Sequence, residues 1–179
     1  VFLIGRKTEL KGDAALNMNL FQSLSGEITE LTEPSKVFGR ALKHADIIVD
    51  AIFGTGLSKR VGGVEESVID TINASGKPVI AVDIPSGIDG NTGSALGSAV
   101  RAEHTYTYAY PKLGQIMPPG SDHTGKLTVI DISIPPFVEE KIGYDAEVTD
   151  GEMLRGFLKQ RGRASHKGSF GHAVVIAGS

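Results

Sequence analysis

The chain has 179 residues, of which 40% are apolar and 22% are charged, ordinary proportions for a globular protein with room for one domain and part of another. No apolar run approaches the roughly 18 residues that a membrane span needs, and a net charge of −3 with scattered lysines and arginines argues against a nucleic-acid partner. Because the chain has no cysteine, disulfides and thiolate metal sites are excluded, and we expect a cytoplasmic protein that acts on a small molecule. Self-association is left open.

Short apolar segments rich in valine and isoleucine recur along the first 136 residues. They predict strands that are buried on both faces, with a further Thr- and Tyr-rich strand after the third of them. The predicted strands are Val1–Ile4, Ile47–Phe53, Val79–Ile84, His104–Tyr110 and Leu127–Ile134.

Amphipathic segments between these strands predict helices. We expect Asp13 to cap a first helix that Gly26 ends and that carries Leu16, Leu20 and Leu24 on one face. A second helix is predicted around Val64–Ile72, with two glutamates in its first turn. The alternation of strand and helix predicts a Rossmann-like α/β fold, a doubly wound and mainly parallel sheet with helices on both faces.

The composition shifts at Pro135–Phe137, where polar residues begin. Thr149, with Glu152 three residues later, predicts a capping box for a short helix at Asp150–Lys159. An apolar run at Ala173–Ile176 then predicts a new strand. The predicted division is a domain at 1–136, a linker with a short helix at 137–160, and the start of a second domain at 161–179.

A glycine-containing loop follows the second predicted strand, where open α/β sheets hold their ligands. Its glycines let backbone N–H groups approach a phosphate, and its polar residues add donors and positive charge. Lys59 stands where a dinucleotide fingerprint has its third glycine, so a plain connection with solvated charges stays open. The candidate binding residues are Gly54, Thr55, Gly56, Leu57, Ser58, Lys59 and Arg60.

The turn Asp83–Gly87 follows the next strand, so we expect it beside that loop. Asp83 is suited to accept a hydrogen bond from a ligand or to exchange a proton, and the turn is expected to present the Ser86 hydroxyl. The alternative is that Asp83 only caps its own turn. Lys112, after a later strand, is a candidate to neutralise an anionic ligand group, and a solvated lysine is equally consistent.

Asp50 interrupts an apolar strand, where an unpaired carboxylate would be costly or would stay protonated. A cation held by Asp50, the Ser86 oxygen and backbone carbonyls would satisfy it, and such an all-oxygen set favours a hard ion. A hydrogen-bonded structural aspartate is the alternative.

Three segments, in this order and spacing, resemble the YjeF N-terminal family, the NAD(P)H-hydrate epimerases: Val49–Leu57, Ala81–Gly87 and Pro111–Gly114. The resemblance covers roughly Val1–Pro136. It implies interconversion of the R and S forms of hydrated NADH or NADPH, with the Gly54–Arg60 loop and Asp83 contacting this substrate. It also implies that Asp50 and Ser86 hold a potassium ion. With this family in mind, we expect Asp83 to act as a general acid and base.

The segment 161–179 resembles the opening of the ribokinase-like, ADP- or ATP-dependent NAD(P)H-hydrate dehydratase domain that family members carry. That domain restores the S form to the normal cofactor. The family's glycine-rich loop ending in G-G-D-G belongs before Val1, and the dehydratase's catalytic motif belongs after Ser179. We therefore expect part of both sites to lie outside this chain, which leaves its activity on its own open.

Two other functions stay open at this point. One is a non-catalytic nucleotide- or protein-binding module of the same fold, because fold alone never fixes function. The other is a small-molecule kinase, which the ribokinase-like segment suggests.

Overall fold

We analysed a computed structural model of the protein, which describes residues 1–144, 146–157, 172 and 174–176. The chain divides into two compact units, Val1–Pro136 and Phe137–Ser179. No helix in the described ranges is long and apolar enough to cross a bilayer. The first unit contains, in chain order, β1 (Phe2–Ile4), a 3-10 helix (Lys7–Glu9), α1 (Gly12–Ser23), β2 (Thr29–Leu31), α2 (Lys36–His44), β3 (Ile48–Asp50), α3 (Gly63–Ala74), β4 (Val79–Val82), β5 (His104–Tyr108), α4 (Leu113–Ile116), α5 (Ser121–Thr124) and β6 (Lys126–Ile130).

All pairings between these strands are parallel. β3, β4, β5 and β6 form one sheet in that order, and β1 pairs with β2 in another. The predicted mainly parallel α/β fold is confirmed, with the strands divided between a two-stranded and a four-stranded sheet. A cavity of about 660 Å³ is lined by residues of both β1 and β3.

The core lies between α2, α3 and one face of the strands. α3 buries Val68, Ile69 and Ile72, and α2 buries Phe38 and Leu42. These side chains cluster with apolar residues of β2, β3 and β4, and full burial of each contributes about 1.5–3 kcal/mol. The helix predicted from its valine and isoleucine spacing is thereby confirmed.

The helix α1 is confirmed, but two details of its prediction are wrong. Lys11 is the N-cap residue, and Asp13 lies inside the first turn. Leu16, Leu20 and Leu24 are 57%, 54% and 82% exposed, because no described element covers that face of the helix.

The sequence patterns missed β2 and α2. β2 has only three residues, too few to show a period. α2 does carry a signal that could have found it: the Ser35 hydroxyl accepts a hydrogen bond from the Val37 amide at 3.2 Å, and Phe38 and Leu42 are four residues apart, on one helical face.

Most of the predicted strands are shorter than their apolar runs. β3 ends at Asp50 because the Asp50 side chain accepts a hydrogen bond from the Ile52 amide at 3.3 Å. β4 ends at Val82 because Asp83 has a positive φ of 68°, which breaks the extended backbone.

The second unit contains α6 (Pro136–Ile142), which begins at the unit boundary, and α7 (Gly151–Phe157). The prediction that Thr149 caps the latter helix is wrong. The Asp150 carboxylate accepts hydrogen bonds from the Glu152 and Met153 amides at 2.9 and 2.8 Å, so Asp150, directly before the first helical residue, is the cap.

The other predictions for the second unit fall largely outside the described residues, which include neither 158–171 nor Ala173. The strand predicted at Ala173–Ile176 is not formed at Val174–Ile176, which are described and exposed. A strand requires a hydrogen-bonded neighbour, and the described part of the chain provides none for this segment.

Candidate functional site

The carboxyl ends of three neighbouring strands bring the predicted polar residues together. Asp50 ends β3, Asp83 follows β4, and Lys112 follows β5. Because these strands are adjacent and parallel, the three residues lie along one edge of the sheet, the edge where α/β folds bind ligands.

Asp50 and Ser86 form a buried pair at this edge. Asp50 is 1% exposed and Ser86 is fully buried. The Ser86 hydroxyl donates to Asp50 Oδ1 at 2.6 Å, and the Ser86 amide donates to Asp50 Oδ2 at 2.8 Å. The Ser86 oxygen also accepts a hydrogen bond from the Phe53 amide at 2.9 Å, so the turn presents this hydroxyl to Asp50 and to the backbone that follows β3.

Burial and hydrogen bonds act against each other at Asp50. Burial raises the pKa of its carboxyl above the ordinary value, and the bonds from Ser86 and Ile52 offset this only in part. The Asp50 carboxylate therefore accepts hydrogen bonds from protein groups and forms no ion pair with the residues that the structure describes.

Gly87 shapes the turn that places Ser86. Its φ is +97°, and a Cβ at this position would lie 2.3 Å from the Ser98 carbonyl oxygen. Glycine alone fits such a backbone and such a close approach.

Asp83 and Lys112 form an ion pair, with Lys112 Nζ 2.6 Å from Asp83 Oδ1. The same Oδ1 accepts hydrogen bonds from the Thr107 hydroxyl at 3.1 Å and the Tyr108 amide at 3.3 Å. Lys112 Nζ also donates to Thr107 Oγ1 and the Tyr108 carbonyl. Asp83 thus bonds to groups beyond its own turn, and Lys112 is not a freely solvated lysine.

This network sets the charge of Asp83. Burial alone would raise the pKa of its carboxyl, but the hydrogen bond from Lys112, the Tyr108 amide, the charge of Lys112 and the Thr107 hydroxyl together hold it below the ordinary value. None of the described hydrogen bonds ends at Oδ2, and about a fifth of each side chain of the pair is exposed. Asp83 is therefore a carboxylate near neutral pH, and its Oδ2 accepts no hydrogen bond from the described residues.

The loop Gly54–Arg60 is exposed except at Leu57, which is half-buried. It borders a cavity of about 500 Å³ whose lining comes from residues 52–65. A Cβ at Gly54 or at Gly56 would meet no atom within 4 Å, and neither glycine has a positive φ. The described part of the chain gives no packing reason for these two glycines, whereas a ligand that approaches the backbone closely would give one.

The third motif packs against the loop that follows Asp83. The Gly114 amide donates to the Gly90 carbonyl at 2.8 Å, and a Cβ on Gly114 would lie 2.2 Å from the Asp89 carbonyl oxygen. A Cβ on Gly90 would have Thr55 Cγ2 at 3.7 Å and Lys112 Cγ at 3.9 Å. All three sequence motifs therefore meet at one place.

Two residues of this network were missed by the sequence patterns. Thr107 is fully buried on β5 and bonds both members of the ion pair. Gln115 is 2% exposed and bonds Asp83 and Lys112 through their backbones. The one available signal was the position of Gln115 directly after Pro111–Gly114.

The described residues contain no cluster of three His, Cys, Asp or Glu side chains that could hold a metal ion. Three groups could provide oxygen ligands to a cation: the Asp50 carboxylate, the Ser86 hydroxyl, and the Phe53 carbonyl, which lies 3.4 Å from that hydroxyl. Such a set suits a hard monovalent or divalent ion and not zinc.

A known protein family matches the part of the chain that contains Asp50, Asp83 and Lys112. A family profile described as YjeF-related protein N-terminus matches residues 1–114. A crystal structure of the yeast protein ynu0 superposes with a TM-score of 0.62 at 18% identity, over 81% of this chain and 62% of the yeast chain; this likeness concerns the fold.

Curated relatives share more of the sequence. Proteins named bifunctional NAD(P)H-hydrate repair enzyme Nnr, from Moorella thermoacetica and Thermofilum pendens, are 36% and 40% identical over 181 aligned residues, which cover 100% of this chain and 34% of each relative. A protein named NAD(P)H-hydrate epimerase from Lentilactobacillus buchneri is 48% identical over 87 residues, 49% of this chain and 40% of the relative. The chain thus spans about a third of the length of the bifunctional relatives.

Proposed function

We propose that this chain, which belongs to the YjeF-related N-terminal family, is the epimerase part of a nicotinamide nucleotide repair enzyme. Its substrate would be hydrated NADH or NADPH, and its reaction the inversion of the carbon that carries the hydroxyl group. The observation that carries the proposal is the Asp83–Lys112 pair, with Asp83 Oδ1 bonded to Lys112 Nζ at 2.6 Å beside a loop whose glycines have no packing role.

The pair supplies both proton transfers that the inversion needs. Lys112 donates a proton to the departing hydroxyl, the carbon–oxygen bond breaks, and water leaves as the ring nitrogen forms a double bond to the same carbon. Water then adds to the opposite face, and Asp83 Oδ2 accepts its proton. A proton passes from Asp83 back to Lys112 across the ion pair, which restores both groups for the next turnover. This refines the expected acid and base role of Asp83: its lowered pKa keeps it ionised and therefore able to accept a proton, and its charge stabilises the cationic intermediate.

The loop Gly54–Arg60 is proposed to bind the phosphates of the dinucleotide. Its backbone is open to close approach at Gly54 and Gly56, and the exposed Ser58, Lys59 and Arg60 provide hydrogen-bond donors and two positive charges.

A potassium ion at Asp50 and Ser86 is also part of the proposal. The oxygens present fit such an ion, and the burial that raises the pKa of Asp50 is a penalty that a bound cation would remove. When bound, it would hold this carboxylate in its charged form. A higher melting temperature in potassium chloride than in choline chloride of equal concentration would support it, with Asp50→Asn as the variant that should abolish the difference.

The bifunctional relatives align with the whole chain, whereas the single-function epimerase aligns with half of it. We therefore keep the proposal that 161–179 opens a dehydratase domain that uses ADP or ATP. Cytoplasmic location, for a chain without cysteine, also stays a proposal.

The proposed activity is tested with the intact parent polypeptide and with R-hydrated NADPH separated from its S form. Chromatography follows the approach to the mixture of both forms, with the reaction without protein as the baseline. Acceleration supports the epimerase. Binding of the hydrate without acceleration would instead identify a non-catalytic binding module.

A further inference from the structure

Asp83 holds a backbone conformation that a non-glycine residue rarely adopts. Its φ is +68°, and the Ile84 amide donates across it to the Val82 carbonyl at 2.9 Å, the short hydrogen bond of a γ-turn. The Asp83 amide is held by the Tyr106 carbonyl at 2.8 Å. Strained conformations of this kind persist only where the surrounding structure fixes them, and they cluster at functional sites.

Gln115 is the side chain that fixes the other side of this turn. Its Nε2 donates to the Asp83 carbonyl at 2.5 Å, and its Oε1 accepts from the Lys112 amide at 2.8 Å. One buried amide group therefore joins the backbones of both members of the ion pair, without contact to the reacting atoms.

The two oxygens of the Asp83 carboxylate differ in their hydrogen bonds. Every hydrogen bond that the Asp83 carboxylate receives from the described residues ends at Oδ1, and none of them ends at Oδ2. A rotation of the Asp83 turn, or a shift of Lys112 along the chain, would change which oxygen is paired.

We propose that Gln115 is a positioning residue of the epimerase site, which holds Asp83 and Lys112 in register so that Asp83 Oδ1 stays paired and Oδ2 stays free for a proton. The role in turnover rests on the proposed function, but the register of the pair, which is the placement of Lys112 Nζ against Asp83 Oδ1, does not.

Lys112 is the charged side chain that contacts Asp83 in the described part of the chain. The remaining contacts are neutral: the Thr107 hydroxyl and Tyr108 amide from β5, and the Gln115 amide from α4. Asp50 bonds to Ser86, on the other side of the turn. A change in the titration of Asp83 therefore reports on this set of contacts, among which the hydrogen bond from Lys112 lowers the pKa most.

The test replaces Gln115 by methionine, which keeps the volume and removes both hydrogen bonds. In the intact parent polypeptide we expect kcat to fall about 10- to 100-fold, KM to change less than about threefold, and the acid limb of the kcat profile to move to higher pH. Gln22→Met, at an exposed position on α1, should leave all three unchanged. A wild-type kcat and pH profile in Gln115→Met would overturn the proposal.

A second measurement does not depend on activity. Carbon-13 NMR of the aspartate carboxyl groups, assigned with Asp83→Asn, should show a higher pKa for Asp83 in Gln115→Met than in the wild type. An unchanged pKa overturns the register role even if the wild type proves to have no epimerase activity. If the methionine variant does not fold, Gln115→Asn, which keeps the amide but cannot span the two backbones, is measured in its place with the same expected and contradicting outcomes.

Discussion

Asp50 and Asp83 stand at the ends of two neighbouring strands, yet their surroundings act on them in opposite directions. Asp50 is enclosed and bonded only by neutral donors, so its pKa is raised by burial. Asp83 is partly exposed and paired with Lys112, and its pKa is lowered despite burial. Two carboxylates whose pKa values are driven apart suit two different tasks: Asp83 is proposed to serve the chemistry, and Asp50 is proposed to hold the site together and to bind the cation.

The largest expected effect comes from Asp83→Asn, which removes the proposed base. We expect epimerisation to slow by about 10²- to 10⁴-fold, measured from the approach to the R and S mixture. The free energy of unfolding should change by less than about 1 kcal/mol, because asparagine tolerates a positive φ and the lost ion pair is partly exposed.

Asp122→Asn is the matched control, since Asp122 is exposed on α5 and should leave activity unchanged. Near-normal epimerisation by Asp83→Asn would show that Asp83 is not the base of this reaction.

Asp50→Asn should have the complementary effect, on stability. Whichever way the amide is turned, one Ser86 donor loses its acceptor in a buried place, and an unsatisfied buried donor costs about 1–3 kcal/mol. We expect urea unfolding to give a free energy lower by about 2 kcal/mol, whereas Asp46→Asn, exposed just before β3, should leave it unchanged. Wild-type stability in Asp50→Asn would contradict the structural role.

The sequence could reveal Asp50 and Asp83 for different reasons. Asp50 is conspicuous because a charge interrupts an apolar run, and Asp83 because it begins a turn at a strand end. The parallel sheet was equally predictable from the alternation of strands and helices. Thr107 and Gln115 were not predictable, because their roles depend on how β5 and α4 approach the Asp83 turn in space. The exposed leucines of α1 show a similar limit: periodicity identifies a helix, but not what covers it.

Gly56→Ala tests the proposed binding loop separately, because it leaves the carboxylates of Asp50 and Asp83 in place. A methyl group at this open position meets no protein atom, so stability should stay equal or rise by up to about 1 kcal/mol. KM should rise about tenfold with kcat unchanged, because binding alone is impaired. Gly39→Ala, equally unhindered but on α2, should not affect KM. A normal KM in Gly56→Ala would remove the loop from the binding site.

The smallest expected effect is the pH dependence of stability. Because the pKa of Asp83 is lowered on folding, its contribution is present above the unfolded value, near about 4, and is lost as the pH falls through the folded value. Asp50 has the opposite sign: its contribution is present below about 4 and is lost as the pH rises through its raised value. The stability difference between wild type and Asp83→Asn, less than about 1 kcal/mol, should therefore shrink in acid, as urea unfolding at several pH values would show. A stability difference that grows in acid would contradict a lowered pKa of Asp83 in the folded protein.

The most direct test is a carbon-13 NMR titration of both carboxyl groups in the wild type, with Asp50→Asn and Asp83→Asn for assignment. We predict that Asp83 titrates below the ordinary aspartate range and Asp50 above it. Equal values, or the reverse order, would contradict the division of roles between the two carboxylates.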